Sequence, residues 1–231
     1  MLKLNRMKLV FALGGSIVVP DKPDTGYIKR FAKFADELSA KHRLVIVVGG
    51  GKTARQRIAK AITEGASQDE QDMVGIEATR ENAKMVAEAI GEKANQKIPK
   101  GFDDAIKIFE SGKITVMGGT EPGHSTDAVA IIMGERIGSD IVFKTTDVGG
   151  IYDKDPQRFS DAKRFDIMTP DQLLERVAKM AQTPGRYELV DLLGAKVLKK
   201  AKLKMIALDG RDLGNIRKAI EGKPFVGTTV E

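Results

Sequence analysis

Apolar runs of strand length punctuate the chain at Leu9–Leu13, Leu44–Val48, Ile114–Met117, Ile141–Phe143 and Met205–Leu208. They are rich in Val and Ile and continuous, not alternating, which is the pattern of strands buried on both faces. Between them the apolar spacing changes to three and four. Ile28, Phe31, Ala35 and Leu38 share one helical face, as do Met85, Val86 and Ala89, and Leu173, Leu174 and Val177. Thr169 before Pro170 predicts an N-cap with proline at the first helical position. Strand and helix alternate along the chain, so the expected class is α/β with a largely parallel sheet. No internal repeat, low-complexity tract or linker divides the sequence, and one domain over residues 1–231 is expected.

The segments just after the strands are more informative than the strands themselves. The first strand leads into LGGS, the second into VVGGGKTAR, the third into VMGGTEPGHSTD, the fourth into KTTDVGG and the fifth into LDG. In an open parallel sheet, ligands bind outside the carboxyl ends of the strands. Glycine there lets a backbone approach a ligand closely and supplies positive φ. Exposed amides at the N-termini of the next helices attract anions. A tight strand-to-helix turn would explain any one of these glycine runs. Their recurrence at corresponding positions points to a phosphate seat.

Composition narrows the class of ligand. The 231 residues carry 38 Lys and Arg against 32 Asp and Glu, a net charge of +6. The lysines are scattered along helical patterns, and aromatics are 5% of the chain with none interleaved among basic clusters. A stacking platform for nucleic acid needs that interleaving, so no nucleic-acid partner is expected. A mild positive field suits small anions better. The chain has no cysteine, which excludes disulfides, thiolate metal sites and thiol nucleophiles. No stretch approaches the roughly 20 apolar residues of a membrane span. The first apolar run is too short for a signal peptide, so a cytoplasmic protein without membrane contact is expected.

Several familiar motifs fail on spacing. A Walker A loop ending in Gly51, Lys52 and Thr53 would need glycine where the chain has Ile46. Gly49, Gly51 and Ala54 fit the dinucleotide pattern G-x-G-x-x-A, but the acids at the right distance, Glu70 and Asp72, lie in the polar stretch GASQDEQD and not at a strand end. No G-x-S-x-G elbow accompanies the two histidines, His42 and His124, which leaves a Ser-His-Asp triad without support. His42 is expected to cap the polar end of a helix. His124, in a glycine-flanked loop, could contact a ligand or simply shape the loop. No metal-binding spacing is present, so no metal site of the protein's own is expected. A metal should arrive with a nucleotide, held by its phosphates.

Taken in order, LGGS, VVGGGKTAR, VGIEATRENA, GGTEPGHSTDAVA and KTTDVGGIYDKDP resemble the amino acid kinase family, and within it the archaeal-type uridylate kinases. The similarity runs from about Leu9 to the closing VGTTV. It implies a three-layer α/β/α sandwich with a largely parallel central sheet, the acceptor mainly on the N-terminal part and ATP mainly on the C-terminal part. It also implies the reaction ATP + UMP → ADP + UDP, Mg²⁺ carried by the ATP phosphates, and a homohexamer. By the same resemblance Gly14, Gly15 and Ser16 would line the transferring phosphate, and Gly51 and Arg55 would meet ATP. Gly50 and Asp72 would be acceptor contacts, Asp72 on the ribose hydroxyls. The loop Thr120, Glu121, Pro122, Gly123, His124, Ser125 and Thr126 would hold UMP. Thr146, Asp147, Tyr152 and Asp155 match adenine and ribose contacts, and Asp191 matches an aspartate that organises the catalytic centre.

Some residues carry two readings. Asp127, at the start of the helix after the substrate loop, is a candidate catalytic residue, and the plainer account makes it that helix's N-cap, a role compatible with orienting the loop. Asp191 lies in helix-like YELVDLLGAKV, where it could equally be a surface carboxylate, and Asp155 before Pro156 could be only a turn former. Many members of the family carry lysine two residues before the first glycine, where this chain has Ala12. Lys52, with Arg55 about one turn later, is the first candidate to replace that charge, and a solvated lysine is the plainer account of it. Lys144 is the second candidate. A sibling kinase for another small acceptor, such as acetylglutamate or isopentenyl phosphate, and a non-catalytic nucleotide-binding protein are the alternative functions.

Overall fold

The computed structural model describes residues 6–180 and 190–231. Every predicted strand forms: β1 (Lys8–Leu13), β2 (Arg43–Val48), β3 (Thr115–Met117), β4 (Ile141–Thr146) and β6 (Met205–Asp209). Two short strands join them, β5 (Ile167–Met168) and β7 (Thr228–Val230), too brief to stand out as apolar runs. The seven-stranded sheet has the order β3-β2-β1-β4-β6-β7-β5. It is parallel from β3 to β6, while β7 runs antiparallel to β6 and carries β5 parallel to itself. β4 continues past the expected end at Phe143 through Lys144, Thr145 and Thr146. Hydrogen-bonded ladders to β1 on one side and β6 on the other hold these polar residues extended.

The continuous apolar runs have their explanation in two cores. On β1, Leu9, Phe11 and Leu13 face one side with Ile28, Phe31, Leu38, Val86 and Ile216. Val10 and Ala12 face the other with Val129, Ile131, Leu173 and Leu198. The first core lies under α2 (Thr25–Ser39), α4 (Gln68–Ile90) and α9 (Leu213–Ile220), and the second under α5 (Phe102–Glu110), α6 (Thr126–Ile137), α7 (Pro170–Met180) and α8 (Leu192–Ala201). The result is the expected α/β/α sandwich. Phe11 anchors the first core, stacked on Phe143 at 5.1 Å and edge-on to Phe31 at 6.1 Å.

Local expectations fare unevenly on the helices. Thr169 caps α7, its hydroxyl accepting from Gln172 N–H at 3.2 Å. Ala89 does not share the buried face of Val86; the helical period turns it outward from the row through Ile76, Ala83 and Val86. His42 comes just after α2, but its backbone N–H, not its imidazole, reaches Leu38 O at 2.9 Å, and the ring is buried.

Strand order places the site. From β1 the sheet extends one way to β2 and β3 and the other way to β4 and β6. The loops leaving β1 and β4 therefore diverge to opposite faces and open a crevice at their carboxyl ends. Gly14 and Thr146 stand at that switch point.

Candidate active site

Two glycine turns interlock at the crevice. Gly14 N–H donates to Thr145 O at 2.9 Å, and Gly49 N–H donates to Leu13 O at 2.9 Å. A Cβ on Gly15 would fall 2.0 Å from Gly51 N, and one on Gly49 would fall 2.6 Å from Gly15 N. Gly51 has φ +61 and opens α3 (Gly51–Thr63), while Gly15 opens the single-turn α1 (Gly15–Val18). The glycines are thus required by backbone packing on backbone, in addition to whatever they bind. Ser16 is half-buried in the same turn, and Gly50 packs against Ala54, where a Cβ would fall 2.3 Å from the alanine methyl. Arg55 is exposed about one turn into α3, without an ion pair among the described residues.

The two lysine candidates occupy different surroundings. Lys52 pairs with Asp21, the side chains 40% and 77% exposed, and the ammonium holds the Asp21 carboxyl below its ordinary range. Lys144 is the direct register partner of Ala12 across the β1–β4 ladder. Its side chain is 14% exposed, and its ammonium donates to Asp127 Oδ2 at 2.5 Å. Asp127 is not the cap of α6, as the sequence suggested. Ser125 is, accepting from Ala128 N–H at 3.1 Å, so the Asp127 carboxylate is left to meet Lys144. Asp191 likewise is not inside a helix but caps α8, accepting from Gly194 N–H at 2.7 Å. Its other oxygen accepts from the Ser125 hydroxyl. Ser125 thereby joins the starts of α6 and α8.

The predicted acceptor residues also come together. Asp72, on α4 and not at a strand end, accepts through Oδ2 from Gly123 N–H at 2.8 Å. In the same loop His124 Nδ1 lies 3.2 Å from Glu121 Oε1, Gly123 has φ +80, and Pro122 and Thr126 are half-buried. Three polar residues on α4 that sequence reading missed hold the loops. Asn82 Nδ2 donates to Gly49 O at 2.9 Å and Gly50 O at 3.0 Å, and Thr79 and Arg80 bond the backbone at Gly119 and Thr120. Their signal was present in VGIEATRENA: polar side chains falling on an otherwise buried face.

At the end of β4, Thr146 donates to Asp147 Oδ1 at 3.1 Å. Arg211 donates to Asp147 O at 2.6 Å and to Asp209, and the Asp209 hydrogen bond raises the Arg211 pKa. Tyr152 bridges to Arg164. Asp155 does form a turn, accepting from Gln157 N–H at 2.9 Å. A cavity of about 750 Å³ opens between this loop and α7, lined by Asp153, Asp155, Arg158, Phe159, Phe165 and Arg176 among others. It shares Asp155 with the predicted set but none of the glycine turns. Among the described residues no three or more His, Asp or Glu gather as a metal cage.

The model of the amino acid kinase family matches residues 7–206. The chain is 40% identical over 224 residues to a uridylate kinase of Methanobrevibacter smithii, covering 97% of this chain and 99% of that one. It is 42% identical over 232 residues to a uridylate kinase of Methanocaldococcus jannaschii, covering 97% and 100%. The crystal structure of a uridylate kinase from Archaeoglobus fulgidus superposes with a TM-score of 0.87 at 37% identity, over 97% of this chain and 100% of the other. A UMP kinase from Ureaplasma parvum, at 19% identity and a TM-score of 0.80 over 98% and 99%, shares the fold.

Proposed function

The chain belongs to the amino acid kinase family, and on that premise we propose that it is a uridylate kinase. An oxygen of the UMP phosphate attacks the γ-phosphorus of ATP, the bond from that phosphorus to the β-γ bridging oxygen breaks, and UDP and ADP result. The reaction asks little covalent chemistry of the protein. It needs the reactants in line and the charge on the equatorial oxygens neutralised.

The observation that carries the reading is the pairing of Lys144 with Ala12 at the switch point. Neighbouring strands lie about 4.8 Å apart, so a side chain from position 144 reaches the space a lysine at position 12 would occupy. Ala12 and Lys144 project toward α6, where Asp127 holds the ammonium. Lys144 is therefore our choice for the charge on the moving phosphoryl group. Lys52, committed to Asp21 in solvent, is set aside for that role. Gly14, Gly15 and Ser16 line the phosphate, and Gly51 and Arg55 meet ATP. Thr146, Asp147, Tyr152 and Asp155 shape the adenosine site, while Gly50, Asp72 and the 120–126 loop hold UMP.

Mg²⁺ belongs to this reading as the partner of ATP, neutralising phosphate charge. The ATP phosphates would supply the hard oxygen ligands that suit it, while Asp127 is paired with Lys144 and Asp191 accepts from Ser125 at the start of α6. A homohexamer in the cytoplasm completes the proposal, the assembly being open to sedimentation analysis. No helix among the described residues is long and apolar enough to cross a membrane.

The test is ADP release from ATP with UMP, CMP, dCMP, GMP, AMP, acetylglutamate and isopentenyl phosphate offered in turn. UMP should be strongly preferred. Equal rates with the other nucleotides, or a preference for either small acid, would overturn the acceptor. ATP binding without ADP release in any mixture would point to a binding protein.

A further inference from the structure

Thr79 and Arg80 are buried polar residues on a helix that otherwise packs against the sheet. A buried polar side chain is tolerated where its hydrogen bonds are made, and here they are made to one short stretch of loop backbone. Thr79 Oγ1 accepts from Gly119 N–H at 2.7 Å while donating to Ile76 O at 2.6 Å. Arg80 donates from Nε to Gly119 O at 3.2 Å and from Nη2 to Thr120 O at 3.0 Å and Lys100 O at 3.2 Å. Its remaining nitrogen pairs with Glu77 at 2.6 Å. The loop backbone lies directly on the helix: a Cβ on Gly118 would fall 2.6 Å from Thr79 Oγ1 and 2.7 Å from Arg80 N.

The root of the 120–126 loop is therefore held on both its donor and acceptor groups, whereas the tip is held at Gly123 by Asp72. Asp72 stands about 10 Å earlier along the same helix, at roughly 1.5 Å per residue. One rigid rod carries both attachments. We propose that Thr79 and Arg80 are positioning residues for the phosphate acceptor. They fix the backbone from which the loop projects and touch neither substrate themselves. The inference rests on the reading that this loop holds UMP. If the root were released, UMP would have to order the loop on binding, and that cost would fall on the acceptor alone. ATP, seated on the other side of the crevice, would not share it. Lysine cannot replace Arg80, because only the planar guanidinium presents a fixed fork of donors to carbonyls from two segments.

The test compares Thr79→Val, Thr79→Ser and Arg80→Met, with Asp72→Asn as the direct-contact variant. Calorimetry gives Kd for UMP and for a non-hydrolysable ATP analogue, and hydrogen exchange tracks the loop amides. Thr79→Val and Arg80→Met should weaken UMP by about tenfold or more, the scale of buried polar groups left unpaired, with the ATP analogue within about twofold. Thr79→Ser, which keeps the hydroxyl, should stay near the parent, and loop amides should exchange faster only in Thr79→Val and Arg80→Met. Equal weakening of both ligands would make the role merely structural and overturn the proposal. Should Arg80→Met fail to fold, the near-isosteric Thr79→Val still decides. If Asp72→Asn weakens UMP while the folded Thr79 and Arg80 variants do not, the positioning role fails and the loop reading stands. If Asp72→Asn leaves UMP untouched as well, the loop reading fails and the inference with it.

Discussion

Replacing Lys144 by methionine removes the ammonium from the switch point while keeping a long unbranched side chain. Two effects should separate. The first is catalytic: a preorganised donor aimed at charge that develops in the transition state is worth about 10²–10³ in kcat, or roughly 3–4 kcal/mol. Because that charge develops mainly as the phosphoryl group moves, KM for both substrates should hardly change. The second is stability, since Asp127 loses its partner at 2.5 Å. Breaking a fully buried pair costs about 3–5 kcal/mol, and an exposed pair is worth at most about 1 kcal/mol. With side chains 14% and 27% exposed, this pair falls between. About 2 kcal/mol is a fair figure, or about 4–8 °C in Tm for a chain of this size. Adding Asp127→Asn should recover much of the Tm and none of the kcat. Lys52→Ala is the control: its exposed pair with Asp21 should cost under about 1 kcal/mol, and kcat should stay within about threefold. Steady-state ADP release with each substrate varied, together with thermal melts, supplies every number. Unchanged kcat in Lys144→Met, or a hundredfold loss in Lys52→Ala, would overturn the choice of Lys144.

Gly15→Ala should unfold the protein or destabilise it by about 3 kcal/mol or more in denaturant titration, because its Cβ would sit 2.0 Å from the Gly51 backbone nitrogen, which cannot step aside. Near-parent stability would mean the glycine turns are not interlocked. Asp155→Ala should weaken ATP in calorimetry and leave UMP nearly unchanged; the reverse result would mean the two substrate halves are exchanged. Burial, aided by the charge of Lys41, holds the His42 imidazole below its ordinary pKa of 6.5. The unfolded chain then takes up the proton first, so this contribution to stability is complete above the unfolded value and is lost as pH falls below it. His42→Gln should accordingly flatten the stability profile between about pH 7 and pH 5, and a slope equal to the parent's would refute that assignment.

Much of the candidate site was legible because its pieces are local. A glycine run after a buried strand identifies itself, and GGTEPGHSTDAVA lies in one continuous loop and helix start. The illegible part depends on partners far apart in the chain. Asp127 was read as a cap because aspartate suits that position; the choice of Ser125 instead is intelligible only once Lys144 is seen to claim the carboxylate. Asp191 looked helical because its neighbours are good helix formers, yet its side chain is turned to Gly194 N–H and Ser125. Thr79, Arg80 and Asn82 passed unnoticed because periodicity marks a buried face without saying that another segment's backbone lies against it.

The alternation of strand and helix, the two-faced burial of the strands and the glycine turns at their ends are all written in the order of residues. Each depends on side-chain spacing within a few positions, where sterics and burial act locally. Only the folded chain makes β1 and β4 neighbours, and with that settles which lysine stands beside Ala12. Only there does β7 reverse direction against β6, and only there do Gly15 and Gly51 require each other. Strand order is set by the packing of whole layers around two cores, and no window along the chain contains both members of such a pair.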